Sequence, residues 1–190
     1  MIELELDRNN EEGNQSAMAP NEKLARVREQ IFSAPEGLKI YAILDGASAG
    51  HLPQAIHRNG VESVCLLRGA LDPDLAQAAP YLVRLDADSP FSDWVLTEGW
   101  GRNWGIFVVS KADFRSLRQH FRSLLTVYDP DKVPLFFRYY DPRVMRVYLP
   151  TCNADELEGV FGPVDRYVLE AEDGQSPLRC ELKDGALVCR

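Results

Sequence analysis

Glu98-Gly-Trp-Gly-Arg-Asn-Trp-Gly-Ile-Phe-Val-Val-Ser110 carries the clearest structural signal in this chain. Its second half, Gly105-Ile-Phe-Val-Val109, is an unbroken apolar, β-branched and aromatic run, the pattern of a buried strand. The first half sets Gly99 and Gly101 between Trp100 and Trp104, with Arg102 at its centre. Glycines that admit close backbone approach, beside Trp and Arg, mark a tightly built locus. A second segment, Phe136-Phe-Arg-Tyr-Tyr-Asp-Pro-Arg-Val144, adds more aromatics and two more arginines. The two together hold neither a paired nucleophile and base, nor a metal quartet, nor a phosphate loop. They point first to recognition or scaffolding.

Working outward, Ser110 is expected to cap a helix whose apolar face is Phe114, Leu117, Phe121 and Leu124-Leu125. Upstream, Asp88-Ser89-Pro90 is a helix start, with Asp88 or Ser89 as cap, and that helix runs to Gly99. Lys39-Ile-Tyr-Ala-Ile-Leu44 reads as a buried strand ending at Asp45-Gly46, and Val61–Leu67 and Tyr81–Leu85 as two more. Asn21 is expected to cap a helix carrying Leu24, Val27 and Ile31. Downstream, Asp129-Pro-Asp-Lys132 turns a hairpin, Asp141-Pro142 opens a helix, and Thr151 or Asn153 caps another that closes at Gly162-Pro163. Residues 166–170 and 178–188 alternate as edge strands. The alternation predicts an α/β or α+β fold, a mixed β-sheet flanked by helices, in one domain. Residues 1–20 are read as a flexible lead-in, 21–165 as the main domain, and 166–190 as C-terminal strands of that domain.

Composition narrows the function class. The 190 residues are 45% hydrophobic and 26% charged, as in an ordinary soluble protein. A net charge of −8 argues against a general nucleic-acid or anionic-membrane binder, which needs a positive surface. There is no basic-then-apolar opening and no run of about 20 apolar residues, so the chain is expected in the cytoplasm. The four cysteines are expected reduced there, as small hydrophobes; Cys180 and Cys189 fall on two strands read as paired, where a bridge can form on oxidation. Neither they nor His51, His57 and His120 have metal-ligand spacing, so no metal and no cofactor is expected.

Several blocks, in order, resemble the adaptor-chaperone family of bacterial type VI secretion, first known as a domain of unknown function. They are Tyr41-Ala-Ile-Leu-Asp-Gly46, Ala79-Pro-Tyr-Leu-Val-Arg-Leu-Asp-Ala-Asp-Ser-Pro-Phe91, Gly99–Phe107, Leu117-Arg-Gln-His-Phe-Arg-Ser-Leu-Leu125, Phe136–Pro150 and Phe161-Gly-Pro-Val164. The likeness spans about residues 39–165 and departs at Gly46, where alanine is expected. It implies a non-enzymatic protein that holds one toxic effector and loads it onto the VgrG spike, often through the spike's C-terminal part.

Among the candidate residues, Trp100, Arg102, Arg138, Tyr140 and Arg143 are read as partner-binding, since Trp and Arg are favoured interface anchors. Trp104, Asp141 and Pro142 are read as structural: a core aromatic, a carboxylate at a helix N-terminus, and first-turn punctuation. Ser48 in Gly46-Ala-Ser-Ala-Gly50 is superficially like a nucleophile elbow, and Asp45, Asp86 and Asp88 like an acid cluster; strand-end and cap roles account for the aspartates. The competing readings are a hydrolase or small-ligand protein using the Arg/Tyr/Trp locus, and an immunity protein that neutralises the toxin.

Overall fold

The computed structural model describes residues 20–190, and the lead-in expected at the start of the chain lies outside the described residues. The first helix, α1 (Pro20–Phe32), begins at Pro20, so Asn21 is its second residue rather than its cap. Proline suits that position because its missing N–H would have no partner in the first turn. Strand β1 (Lys39–Asp45) follows, then α2 (Leu52–Asn59), the short strand β2 (Ser63–Cys65) and α3 (Pro73–Ala78), an element the apolar pattern does not announce. Its signal is polar: the Asp72 carboxylate accepts from Leu75 N at 2.8 Å. Strand β3 (Pro80–Leu85), α4 (Pro90–Gly99) and β4 (Gly105–Ser110) come next, with Ser89 capping α4.

Ser110 does not cap the following helix. It is the last residue of β4, buried, and its hydroxyl donates to Pro163 O. Helix α5 (Phe114–Leu124) is capped by Asp113, which accepts from Ser116 N at 2.7 Å. The hairpin of β5 (Thr126–Tyr128) and β6 (Pro134–Phe136) leads to α6 (Pro142–Tyr148), a 3-10 turn (Leu149–Thr151) and α7 (Ala154–Phe161). Asn153 and Glu156 form a reciprocal capping box on α7. The chain ends in β7 (Arg166–Glu170), β8 (Pro177–Lys183) and β9 (Ala186–Cys189).

Seven strands form one sheet in the order β2-β3-β1-β4-β7-β8-β9, every neighbouring pair antiparallel. Helices cover both faces. Tyr41, Ile43, Ile106, Val108, Tyr167 and Leu169 point into a core closed by α5, α6 and α7. Their strand neighbours Ile40, Ala42, Leu44, Phe107, Val109 and Val168 point the other way, against α1, α2 and α4. This two-sided burial is why β1 and β4 read as continuous apolar runs rather than alternating ones. Each such side chain contributes about 1.5–3 kcal/mol on burial.

Cys180 and Cys189 are directly opposed on β8 and β9, with Cα atoms 4.2 Å apart, and they form a disulfide rather than staying reduced. The flanking pair Arg179 and Arg190 exchanges both backbone hydrogen bonds. The cysteines therefore occupy the closer, non-hydrogen-bonded register of an antiparallel ladder. Cys65 and Cys152 are free and half-buried.

Candidate functional site

The register gathers the polar elements at one end of the sheet. Leu44 faces Gly105, Asp45 faces Pro80, and Glu170 faces Pro177. The end of β1, the start of β4 and the end of β7 thus share an edge, where the 46–51, 99–104 and 171–176 connections meet. Gly105 is required there: a Cβ would lie 2.1 Å from Ile43 O on the neighbouring strand. Asp45 N donates to Trp104 O at 2.7 Å, locking the 99–104 connection onto β1.

Asp45 is 1% exposed and organises the edge. Its carboxylate accepts from Ala47 N at 3.1 Å, Ser48 Oγ at 2.8 Å and Arg138 Nη2 at 2.6 Å. Arg138 leans over the Tyr140 ring, 5.9 Å from its centroid, and keeps a half-exposed side chain. Three residues after Arg138, Asp141 caps α6 and is itself 4% exposed. It accepts a fork from Arg143, Nε at 3.0 Å and Nη2 at 2.7 Å, besides Arg143 N at 2.9 Å. Burial pushes the Asp141 carboxyl up, but the Arg143 hydrogen bonds outweigh it and hold the group below the usual carboxylate range. The Arg143 guanidinium is presented outward by this anchor, with its side chain 59% exposed.

A second buried carboxylate supports the Gly101–Asn103 turn. Glu170 is 2% exposed and accepts from Asn103 N at 3.1 and 3.2 Å, with Gly101 N also donating. Burial drives its pKa from 4.5 to about 7 against the pull of these donors and of Arg146. Arg146 in turn donates to Glu170 O at 2.6 Å. Asn103 takes φ 56°, the left-handed conformation that asparagine tolerates, and Arg102 sits exposed at the tip, loosely paired with Glu98 at 3.6 Å.

The eight residues singled out from sequence divide by depth. Arg102 and Arg143 line one shallow open groove with Ser48, Gly50, Glu98, Trp94 and Trp104. Trp100 is half-buried beside it, its ring tilted against Phe107 at 5.9 Å and its indole donating to Gln175 O at 3.0 Å. Trp104 is 8% exposed, 4.9 Å from the Trp94 ring and seated on Gly99. Pro142 is buried in the first turn of α6. Tyr140 is buried too, edge-on to Tyr139, and meets Arg138 rather than solvent.

Asp45 and Glu170 organise this edge more than sequence reasoning suggested. Asp45 could have been found from its place at the end of a buried strand; Glu170 ends β7 in the same way, but its run reads as an edge strand in the sequence, whereas β7 is buried between β4 and β8. Gly46-Ala-Ser-Ala-Gly50 has the full G-x-S-x-G spacing of a nucleophile elbow, a closer match than the superficial likeness drawn from sequence. Its geometry is different from an elbow's. The Ser48 hydroxyl donates to Asp45, a carboxylate already committed to Arg138. His120 lies in the opposite layer, its ring nitrogen against Val160 O at 3.1 Å and its pKa lowered by burial. Among the described residues no three His, Cys, Asp or Glu side chains converge to hold a metal ion. No helix of the described residues is long and apolar enough to cross a membrane.

Residues 40–159 match the model of a family described as a domain of unknown function, DUF4123. The chain belongs to the DUF4123 family. That family is known as the effector adaptor (Tap/Tec) domain of type VI secretion. No curated protein and no solved structure matches the chain. Within the DUF4123 match lie Asp45, the 99–104 connection and the Arg138–Arg143 segment; Glu170, which buttresses that connection, lies beyond it.

Proposed function

We propose that this protein is a non-catalytic cytoplasmic adaptor-chaperone that binds one type VI effector and delivers it to the VgrG spike, at the C-terminal part of the spike. The observation that carries the proposal is the convergence of three separate family blocks, at Asp45, 99–104 and 138–143, on one edge of the sheet. There two arginines are held outward by buried supports, Arg143 on Asp141 and the Arg102 turn on Glu170. A guanidinium fixed at its base is pre-organised for a carboxylate or carbonyl on a partner, and the Trp94–Trp104 pair gives the groove an apolar wall. In this proposal Trp100, Arg102, Arg138 and Arg143 contact the partner, with Tyr140 beneath them shaping the Arg138 position. Trp104, Asp141 and Pro142 hold the frame.

The test is affinity purification of the tagged protein from its own cytosol, with mass spectrometry of what co-elutes. Recovery of a spike protein and one large toxin above a control lysate is expected. Arg102→Glu should sharply reduce their recovery while the circular dichroism melt is unchanged, since Arg102 is exposed and only loosely paired with Glu98. A partnerless wild-type protein, with both genes expressed, would end the adaptor reading.

A further inference from the structure

A groove of about 500 Å³ lies between α1 and the outer face of the β8–β9 hairpin, reaching the 171–176 connection at one end. That volume is on the scale of small-ligand and peptide sites, about 300–1,000 Å³. On a chain of net charge −8 its walls are cationic: Lys23, Arg26, Arg179, Lys183 and Arg190 surround it, against Asp173 and Glu181. Arg26, Lys183 and Arg190 make no ion pair with any described residue. Glu181 is shared by two arginines, Arg179 hydrogen-bonded to it and the buried Arg166 at 4.0 Å. Burial, and after it the charge of Arg179, hold the Arg166 guanidinium below its ordinary pKa against the opposing pull of Glu181 and Asp165.

All of these residues lie outside 40–159, the part matched by the family. A feature of this chain rather than of the shared module is where recognition of one particular cargo would reside. We propose that the groove binds an acidic peptide segment of the effector; the cargo's identity as an effector rests on the adaptor reading above, the acidic chemistry on the groove alone. A short peptide suits it better than a nucleic acid. Asp173 and Glu181 sit among the cations, and a long polyanion would meet the negative remainder of the surface.

The experiment is fluorescence polarisation on the full chain with a fluorescein-labelled peptide of alternating glutamate and threonine, and its lysine–threonine counterpart as control. Saturable binding of the acidic probe at about 50 mM salt is expected, lost by about 500 mM as screening shortens the reach of the charges. Arg26→Glu with Lys183→Glu, both at exposed positions, should weaken it about ten-fold or more. Arg102→Glu should leave it unchanged. No binding, or binding indifferent to Arg26 and Lys183, overturns the proposal, as does an oligothymidylate that binds tighter than the peptide. Binding that emerges only when Glu3, Glu5, Glu11 and Glu12 are changed to Gln would make the chain's own first residues the occupant, and also overturns it. Effector recovery with the Arg26/Lys183 variant separates the two claims. Undiminished recovery removes the groove and keeps the adaptor; peptide binding without any effector does the reverse.

Discussion

Replacing Glu170 by Gln is expected to change how stability depends on pH rather than simply to lower it. Glu170 titrates near 7 in the folded protein against an ordinary 4.5. The native state therefore holds its proton more tightly than the unfolded chain does. The stabilisation is complete below about pH 4.5, declines as the pH rises, and is gone above about 7. At about 1.4 kcal/mol per pH unit, the interval amounts to about 3 kcal/mol, or about 6–12 °C in melting temperature for a chain of this size. Gln keeps an acceptor for Asn103 N and Gly101 N and cannot ionise, so the variant should lack this loss. Asp141 and Asp173, the latter held at about 2, give stability that disappears only as the pH falls toward acid; both proteins share it. The assay is urea unfolding of both proteins at half-unit steps from about pH 4.5 to 8. The variant should gain on the wild type steadily across that window. Parallel curves would refute the argument, since they would mean that Glu170 is already ionised and hydrated when folded.

Trp104→Ala should cost about 3–5 kcal/mol in urea unfolding, because it empties the contact between Trp94, Gly99 and β4; an unchanged midpoint would remove Trp104 from the core. Asp45→Asn keeps the shape but removes the charge facing Arg138 and should destabilise by about 1–3 kcal/mol, with loss of the Ser48 contact visible as faster amide exchange at Ala47 and Ser48. Thiol titration of the oxidised, denatured chain should count Cys65 and Cys152 alone, and Cys180→Ser with Cys189→Ser should lower stability by about 2–3 kcal/mol, the value for a short closed loop.

Much of the scaffold was legible because burial on both faces writes itself as unbroken apolar runs, as in Ile40–Leu44 and Ile106–Val109. Helix starts were legible where one oxygen-bearing residue stood before a proline, as at Ser89 and Asp141. The cap of α5 was ambiguous because Ser110 and Asp113 both qualify, and what separates them is non-local: the Ser110 hydroxyl is taken by Pro163, 53 residues away. The same limit hid the supports of the candidate site. Asp45 meets Arg138 across 93 residues and Glu170 meets Asn103 across 67, and no local pattern records either. Arg102 was legible as exposed from its glycine-flanked turn, whereas the depth of Tyr140 depends on how α6 seats against Tyr139.

The place of β7 has a consequence for synthesis. It lies between β4 and β8 in the sheet, yet among the described strands only β8 and β9 are made later. A nascent chain that has not yet released Arg166–Glu170 presents β4 with a bare, wholly apolar edge and leaves Tyr167 and Leu169 missing from one core and Val168 from the other. Closure of the central sheet must therefore wait until residues 166–170 have left the ribosome, so the finished edge that carries Arg102 and Arg143 does not exist before then. Whatever this edge holds, it must meet it after β7 has joined the sheet.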